Sequence, residues 1–233
     1  MDHATEPQRE RPCHGPFSGE ETLDGGPVAG EVPPAVIADL GPYDVDRLLR
    51  TYLEPPCFAG AVRRLAESHL LVLTGAESTG KRLGAIALLS RMSLADGGIV
   101  VLSPAATVAE PASRTEFEPG RAYLLHDWIG GGDDRYDLIK LAGELAEVGC
   151  FLVMTRNGAP TAAVEVEQSW EPPAPDELFD LCVAAFGGTA HRSRHELAEA
   201  RAYAATLPSP ARVVALAGQV VRLDTPMASP GDA

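Results

Sequence analysis

The chain has 233 residues, 45% of them hydrophobic and 6% aromatic, and a formal net charge of −14. That length suits one domain, or slightly more, with a real core. So acidic a surface repels phosphate backbones, which argues against nucleic acid as a partner, and no stretch has the length of a membrane span.

Residues 1–40 are rich in Pro, Gly and Glu and poor in large apolar residues, which predicts a disordered N-terminal tail. "YDVDRLLRTYL" (43–53) and "CFAGAVRRLAES" (57–68) have helical spacing. "HLLVLT" (69–74), closed by Gly75, reads as a buried strand, and residues 80–95 as a helix apolar nearly all round. A second strand is expected at 98–103, a polar loop at 104–120 and a third strand at 121–127. Residues 134–148 form an amphipathic helix in which Tyr136, Ile139, Leu141, Leu145 and Val148 fall near one stripe. A fourth strand is expected at 150–155 and a fifth at 162–168.

This alternation predicts an α/β fold, a mainly parallel five-stranded sheet between helical layers, over residues 43–170. After Pro172, Pro173 and Pro175 the pattern is helical (176–186, 193–206, 209–222), a small helical lid or subdomain over 174–223, with a tail at 224–233. The four cysteines are scattered without C-x-x-C pairing, so neither a metal site nor a disulfide framework is expected; Cys150 and Cys182 sit in apolar runs. With no hydrophobic signal core at the start, the expected location is cytoplasmic.

Between the first strand and the long helix lies "GAESTGK": Gly75, Ala76, Glu77, Ser78, Thr79, Gly80 and Lys81. This is the G-x-x-x-x-G-K pattern, in which glycines let the backbone wrap a phosphate, amides at the helix start form an anion site, and the lysine reaches the β- and γ-phosphates. The following residue is Arg82, where a hydroxyl normally ligates Mg²⁺. A guanidinium donates only and cannot ligate a cation, so weaker Mg²⁺ positioning is expected, with nucleotide affinity less affected. Ser78 and Thr79 are in the wrong register to replace it.

"AYLLHD" ends in Asp127, an acid at the end of a strand neighbouring the loop, placed to hold Mg²⁺ through water. His126 reads as a strand-end histidine, and Trp128 stands where a second, water-activating acid is common. Asp133 and Asp134 read as helix caps. "CFLVMTRNG" ends in Thr155, Arg156 and Asn157, a polar group that either reports on the γ-phosphate or is an ordinary exit into a turn.

In this order the segments resemble the STAND class of P-loop NTPases, the signalling ATPases that include NB-ARC and related AP-ATPase domains. The resemblance covers roughly residues 45–223, on "TGAESTGKR", "YLLHDW", "LVMTRNG" and the helical segment from "VEVEQSWEPPAPDELFDLCVAAFG". It implies a P-loop NTPase fold, ATP or ADP with Mg²⁺ as ligands, and Thr155 and Arg156 as γ-phosphate sensors. "LPSPARVVALAGQV" is weakly similar to the class's "GLPLAL" helix, which makes Pro208 and Pro210 candidates; alternatively Arg212 resembles the second sensor arginine of AAA+ proteins. By its place ahead of the loop, "YLEPPCF" suggests Tyr52, Pro55 and Phe58 as base contacts. The class also implies a nucleotide-dependent switch and protein partners or self-association. The expected function is an ATP/ADP-binding switch with slow or no hydrolysis. An ATPase completed by oligomerisation or a partner arginine, and a nucleotide-free scaffold, are the alternatives.

Overall fold

The structure is a computed structural model and describes residues 36–92, 98–102, 117–129, 135–161, 165–187 and 193–222. These lie in the unit Pro33–Ala233.

The apolar runs form the sheet. Six strands, β1 (Val36–Leu40), β2 (Leu70–Gly75), β3 (Ile99–Leu102), β4 (Ala122–Leu125), β5 (Phe151–Asn157) and β6 (Glu167–Ser169), lie in the order β1-β3-β4-β5-β2-β6. β2 to β6 are parallel, and β1 closes one edge antiparallel to β3. Among the described residues the sheet therefore has six strands, not five, and residues 36–40 of the expected tail are its antiparallel edge. The fifth expected strand falls at 167–169.

Side chains alternate between the faces of a strand, and each face here has its own cover. Leu71 and Leu73 of β2 face α1 (Pro42–Leu49), α2 (Phe58–Ser68) and α3 (Lys81–Ser90). Leu70 and Val72 face α4 (Arg135–Val148). Burial on both sides is why these strands read as unbroken apolar runs. On α4 the buried stripe is Leu138, Leu141 and Leu145, while Tyr136, Ile139 and Val148 are exposed. The buried stripe differs from the expected one: positions 138, 141 and 145 follow the i, i+3, i+7 spacing of one face, and 136 and 139 turn away from it.

A third cluster, around Leu178, Phe179, Cys182, Ala204, Val213 and Ala217, joins α5 (Pro175–Ala185), α6 (Arg194–Ala204) and α7 (Pro210–Arg222). Ser193 and Glu196 form a reciprocal capping box that starts α6. Cys150 and Cys182 are buried, as their apolar surroundings suggested. No helix among the described residues is long and apolar enough to cross a membrane. The expectations for residues 1–35, most of the 104–120 loop, Asp133, Asp134 and the C-terminal tail lie outside the described residues.

Candidate functional site

Parallel strands of an open sheet present ligands at their carboxyl ends. Here β2, β4 and β5 end together, and the candidate residues stand on those ends.

β2 runs into the loop at Gly75 and α3 starts at Lys81. Gly80 is left-handed (φ 86°) and no side chain caps α3, so the first-turn amides keep their donors free of side-chain partners. Gly75 has φ 156°, and a Cβ there would lie 2.7 Å from the Trp170 carbonyl oxygen, so only glycine fits that exit. Ser78 is also left-handed (φ 61°). Ala76, Glu77 and Ser78 are exposed, whereas Lys81 is 5% exposed. Lys81 Nζ donates to the carbonyls of Gly75 (3.2 Å) and Ala76 (2.5 Å), so the lysine lies across its own loop. Burial lowers its pKa from the usual lysine value, opposed by Asp127 and then Glu77. Both carboxylates are thus within electrostatic reach of the ammonium.

β4 does not neighbour β2; β5 lies between them. The expectation that Asp127 stands on a strand beside the loop is corrected, because strand order follows from crossovers that local sequence does not encode. Asp127 still approaches Lys81, since the chain turns at once after β4: Asp127 is left-handed (φ 56°), its N–H donates to Thr155 Oγ1 (3.1 Å), and Trp128 N–H donates to the Thr155 carbonyl (2.8 Å). His126 Nδ1 is 2.8 Å from the same Thr155 hydroxyl, and its Nε2 is 3.3 Å from Asp127 Oδ2. Burial lowers the His126 pKa, against the pull of Asp127 and with help from Arg82 and Lys81. The neutral ring fits this chain, with Nδ1 accepting from the Thr155 hydroxyl and Nε2 close to the Asp127 carboxylate. Thr155 is fully buried and its hydroxyl holds the Asp127 turn.

Arg156 is 8% exposed, donates to Ala159 O (2.8 Å) and pairs with Glu167 Oε1 (3.2 Å). Glu167 also accepts from Thr161 N–H (2.6 Å) and Oγ1–H (2.7 Å). Its importance was missed, because one glutamate in "VEVEQ" carries no local mark of burial. Arg156 lies over the Trp128 ring at 5.8 Å, and with Asp127, Ile129 and Asn157 these two line a cavity of about 270 Å³.

A second, apolar cleft of about 490 Å³ lies between the sheet core and the C-terminal helices. Tyr52, Pro55, Thr79, Gly80, Arg82, Trp170 and Pro210 are among its walls. Phe58 lies beneath, buried, with its ring 5.9 Å from Tyr52 and 6.4 Å from Trp170. The Tyr52 hydroxyl is buried without a hydrogen-bond partner among the described residues, and burial raises its pKa. Pro210 reaches within 3.8 Å of a Cβ built on Gly80, whereas Pro208 lies against the Pro172–Pro175 segment. Arg212 is exposed and is not among the cleft's walls.

A loop of this form on the inner strand β2, next to β5 and with β4 one strand further on, gives an α/β fold of the P-loop NTPase type. No protein-family profile matches the chain, and no curated protein matches it. Among solved structures it is similar to the structure of C. elegans PCH-2, at 15% identity and TM-score 0.46, covering 78% of this chain and 66% of that one. It is also similar to the structure of Rhizobiales Trip13, at 16% identity and TM-score 0.38, covering 76% of this chain and 82% of that one. The chain thus spans just under two thirds of the first. The strand order and loop of the chain itself carry the fold assignment.

Proposed function

We propose that the chain binds ATP or ADP at the Gly75–Lys81 loop and works as a STAND-like regulatory switch with slow or no hydrolysis. One arrangement carries this reading: Thr79, Gly80 and Arg82 line an apolar cleft, and Asn157, a wall of the polar cavity, pairs in register with Gly75 at the start of the loop. The cleft suits a nucleobase and ribose, with Tyr52 bringing a hydroxyl that lacks an acceptor and Arg82 a cation. The loop amides and Lys81 would take the phosphates once Lys81 leaves the Gly75 and Ala76 carbonyls. Asp127 would hold Mg²⁺ through water, where the ion would neutralise phosphate charge; Arg82 offers it no ligand.

Slow turnover follows from what surrounds the far cavity. Trp128 occupies the place of a water-activating acid, Asp127 is engaged by His126, and Glu167 is enclosed by Arg156 and Thr161. With Asp127 given to the metal and Glu167 held in its ion pair, neither carboxylate is left in this reading to take a proton from water. Because α5 and α7 share the cleft with the loop, through Leu178, Pro210 and Val214, nucleotide exchange would bear on how these helices sit.

A second reading, a nucleotide-free scaffold, draws on the same closed contacts: Lys81 satisfied within its loop and Arg156 by Glu167. Calorimetric titration of ATP and ADP into the wild type and Lys81→Ala separates the two. The switch reading expects saturable binding that the substitution abolishes. No heat with either nucleotide, or identical isotherms for both proteins, would favour the scaffold.

A further inference from the structure

We propose that the outward face of α4 is a self-association surface, on which a second copy of this chain lays its own α4 in the reverse direction.

α4 carries two apolar stripes. Leu138, Leu141 and Leu145 are buried against the sheet. Tyr136, Ile139, Gly143 and Ala146 form the other, and all four are exposed, Tyr136 at 76% and Ile139 at 45%. Their steps of three, four and three residues are those of a coiled-coil seam, which keeps one line of side chains facing a partner helix. Single exposed apolar residues are ordinary, but a line of them along one helix is a contact face.

The order of sizes identifies the occupant. Two large residues are followed by two small ones, and a Cβ added at Gly143 would meet nothing within 4 Å, so the small half is an open groove. In a reversed second copy Tyr136 lies over Ala146 and Ile139 over Gly143, and the two-fold axis makes each contact twice. A parallel copy would set ring against ring and leave the glycines facing a gap.

Charge agrees. Lys140 and Glu144 flank the stripe, 3.6 Å apart, with side chains 63% and 43% exposed. In the reversed copy each Lys140 comes level with the other copy's Glu144, to within about 3 Å along the axis. The two lysines and two glutamates gather on one flank as a group without net charge, so each copy complements the other there. The helix has 14 residues. A face about 21 Å long falls short of the roughly 800 Å² per partner of a standard interface, so the dimer is a weak one. α4 lies across the sheet from α3, and the contact does not depend on the nucleotide reading.

Sedimentation velocity of the full-length chain, from about 10 μM to about 1 mM, tests this in roughly 0.15 M salt, which screens the repulsion between two chains of net charge −14. The mass should rise with concentration from 24.5 kDa towards twice that value. A chain that stays monomeric throughout overturns the proposal. Ile139→Lys and Gly143→Leu should each raise the dissociation constant about tenfold or more, while the melting temperature of the dilute monomer holds. A dimer that neither substitution weakens uses another surface, and the proposal falls. Lys140→Glu and Glu144→Lys should each weaken the dimer, since each gathers four like charges. Mixing the two variants should restore it, because opposite charges then meet across the axis. A mixture no tighter than either variant alone would refute the reversed arrangement.

Discussion

The guanidinium of Arg156 and the carboxylate of Glu167 meet at 3.2 Å with side chains 9% and 1% exposed. Such a pair stabilises little against an apolar replacement of both partners, but losing one partner strands a buried charge, at a cost of about 3–5 kcal/mol. Arg156→Met should therefore destabilise strongly. Adding Glu167→Gln should restore part of the loss, because the amide oxygen still accepts from Thr161. Urea unfolding of the three proteins checks this; equal midpoints for the single and double variants would show that the charge is not what matters.

Gly84 of α3 faces Trp170 so closely that a Cβ would lie 2.2 Å from the indole Cζ2. Alanine gains about 1 kcal/mol of helix propensity over glycine. Against that, overpacking a buried ring costs about 1–3 kcal/mol, and this contact lies well inside van der Waals distance. Gly84→Ala should be net destabilising and should reshape the apolar cleft, which Trp170 lines. Thermal unfolding decides the sign, and a stabilised variant would contradict this packing.

His126 has a folded pKa lowered by burial, so the unfolded chain takes up the proton first. Stability should therefore fall as pH drops through the ordinary histidine value of about 6.5, and the loss is complete below the folded value. His126→Gln lacks this titration. Its melting temperature should vary less than that of the wild type between about pH 7.5 and pH 5. Parallel curves would remove His126 as the cause.

Arg82 stands exposed on the first turn of α3 in the place of a metal-binding hydroxyl. Arg82→Thr restores that ligand, so Mg²⁺ should strengthen ATP binding more in the variant than in the wild type, while Arg82→Ala should show no such gain. Titrations with Mg²⁺ and with chelator measure the ratio. A ratio equal in all three proteins would mean that position 82 does not face the metal.

Much of this architecture was legible because burial on both faces makes a strand a continuous apolar run: β2, β3, β4 and β5 all read that way. β1 was not, because it is an edge strand with Val36 and Ile37 each 61% exposed, so "VIADL" resembles the polar segment before it. The loop from Gly75 to Lys81 was legible as a spacing of glycines and a lysine. Three features were not: the placement of β5 between β2 and β4, the acceptors that occupy Lys81, and the burial of Glu167. The first depends on how distant strands are ordered; the other two depend on which way a side chain folds, onto its own loop for Lys81 and onto Arg156 and Thr161 for Glu167, and residue type alone does not encode that.

A melting-temperature comparison tests the central claim most directly, because a ligand that binds the folded chain must raise its stability. At a nucleotide concentration about 100-fold above Kd the gain is about 2.7 kcal/mol, which for a domain of this size is a rise of about 5–10 °C. Wild-type protein should show that rise with ATP or ADP, and Lys81→Ala should not. A melting temperature unmoved by either nucleotide at millimolar concentration, with and without Mg²⁺, would contradict the claim that the Gly75–Lys81 loop binds a polyphosphate.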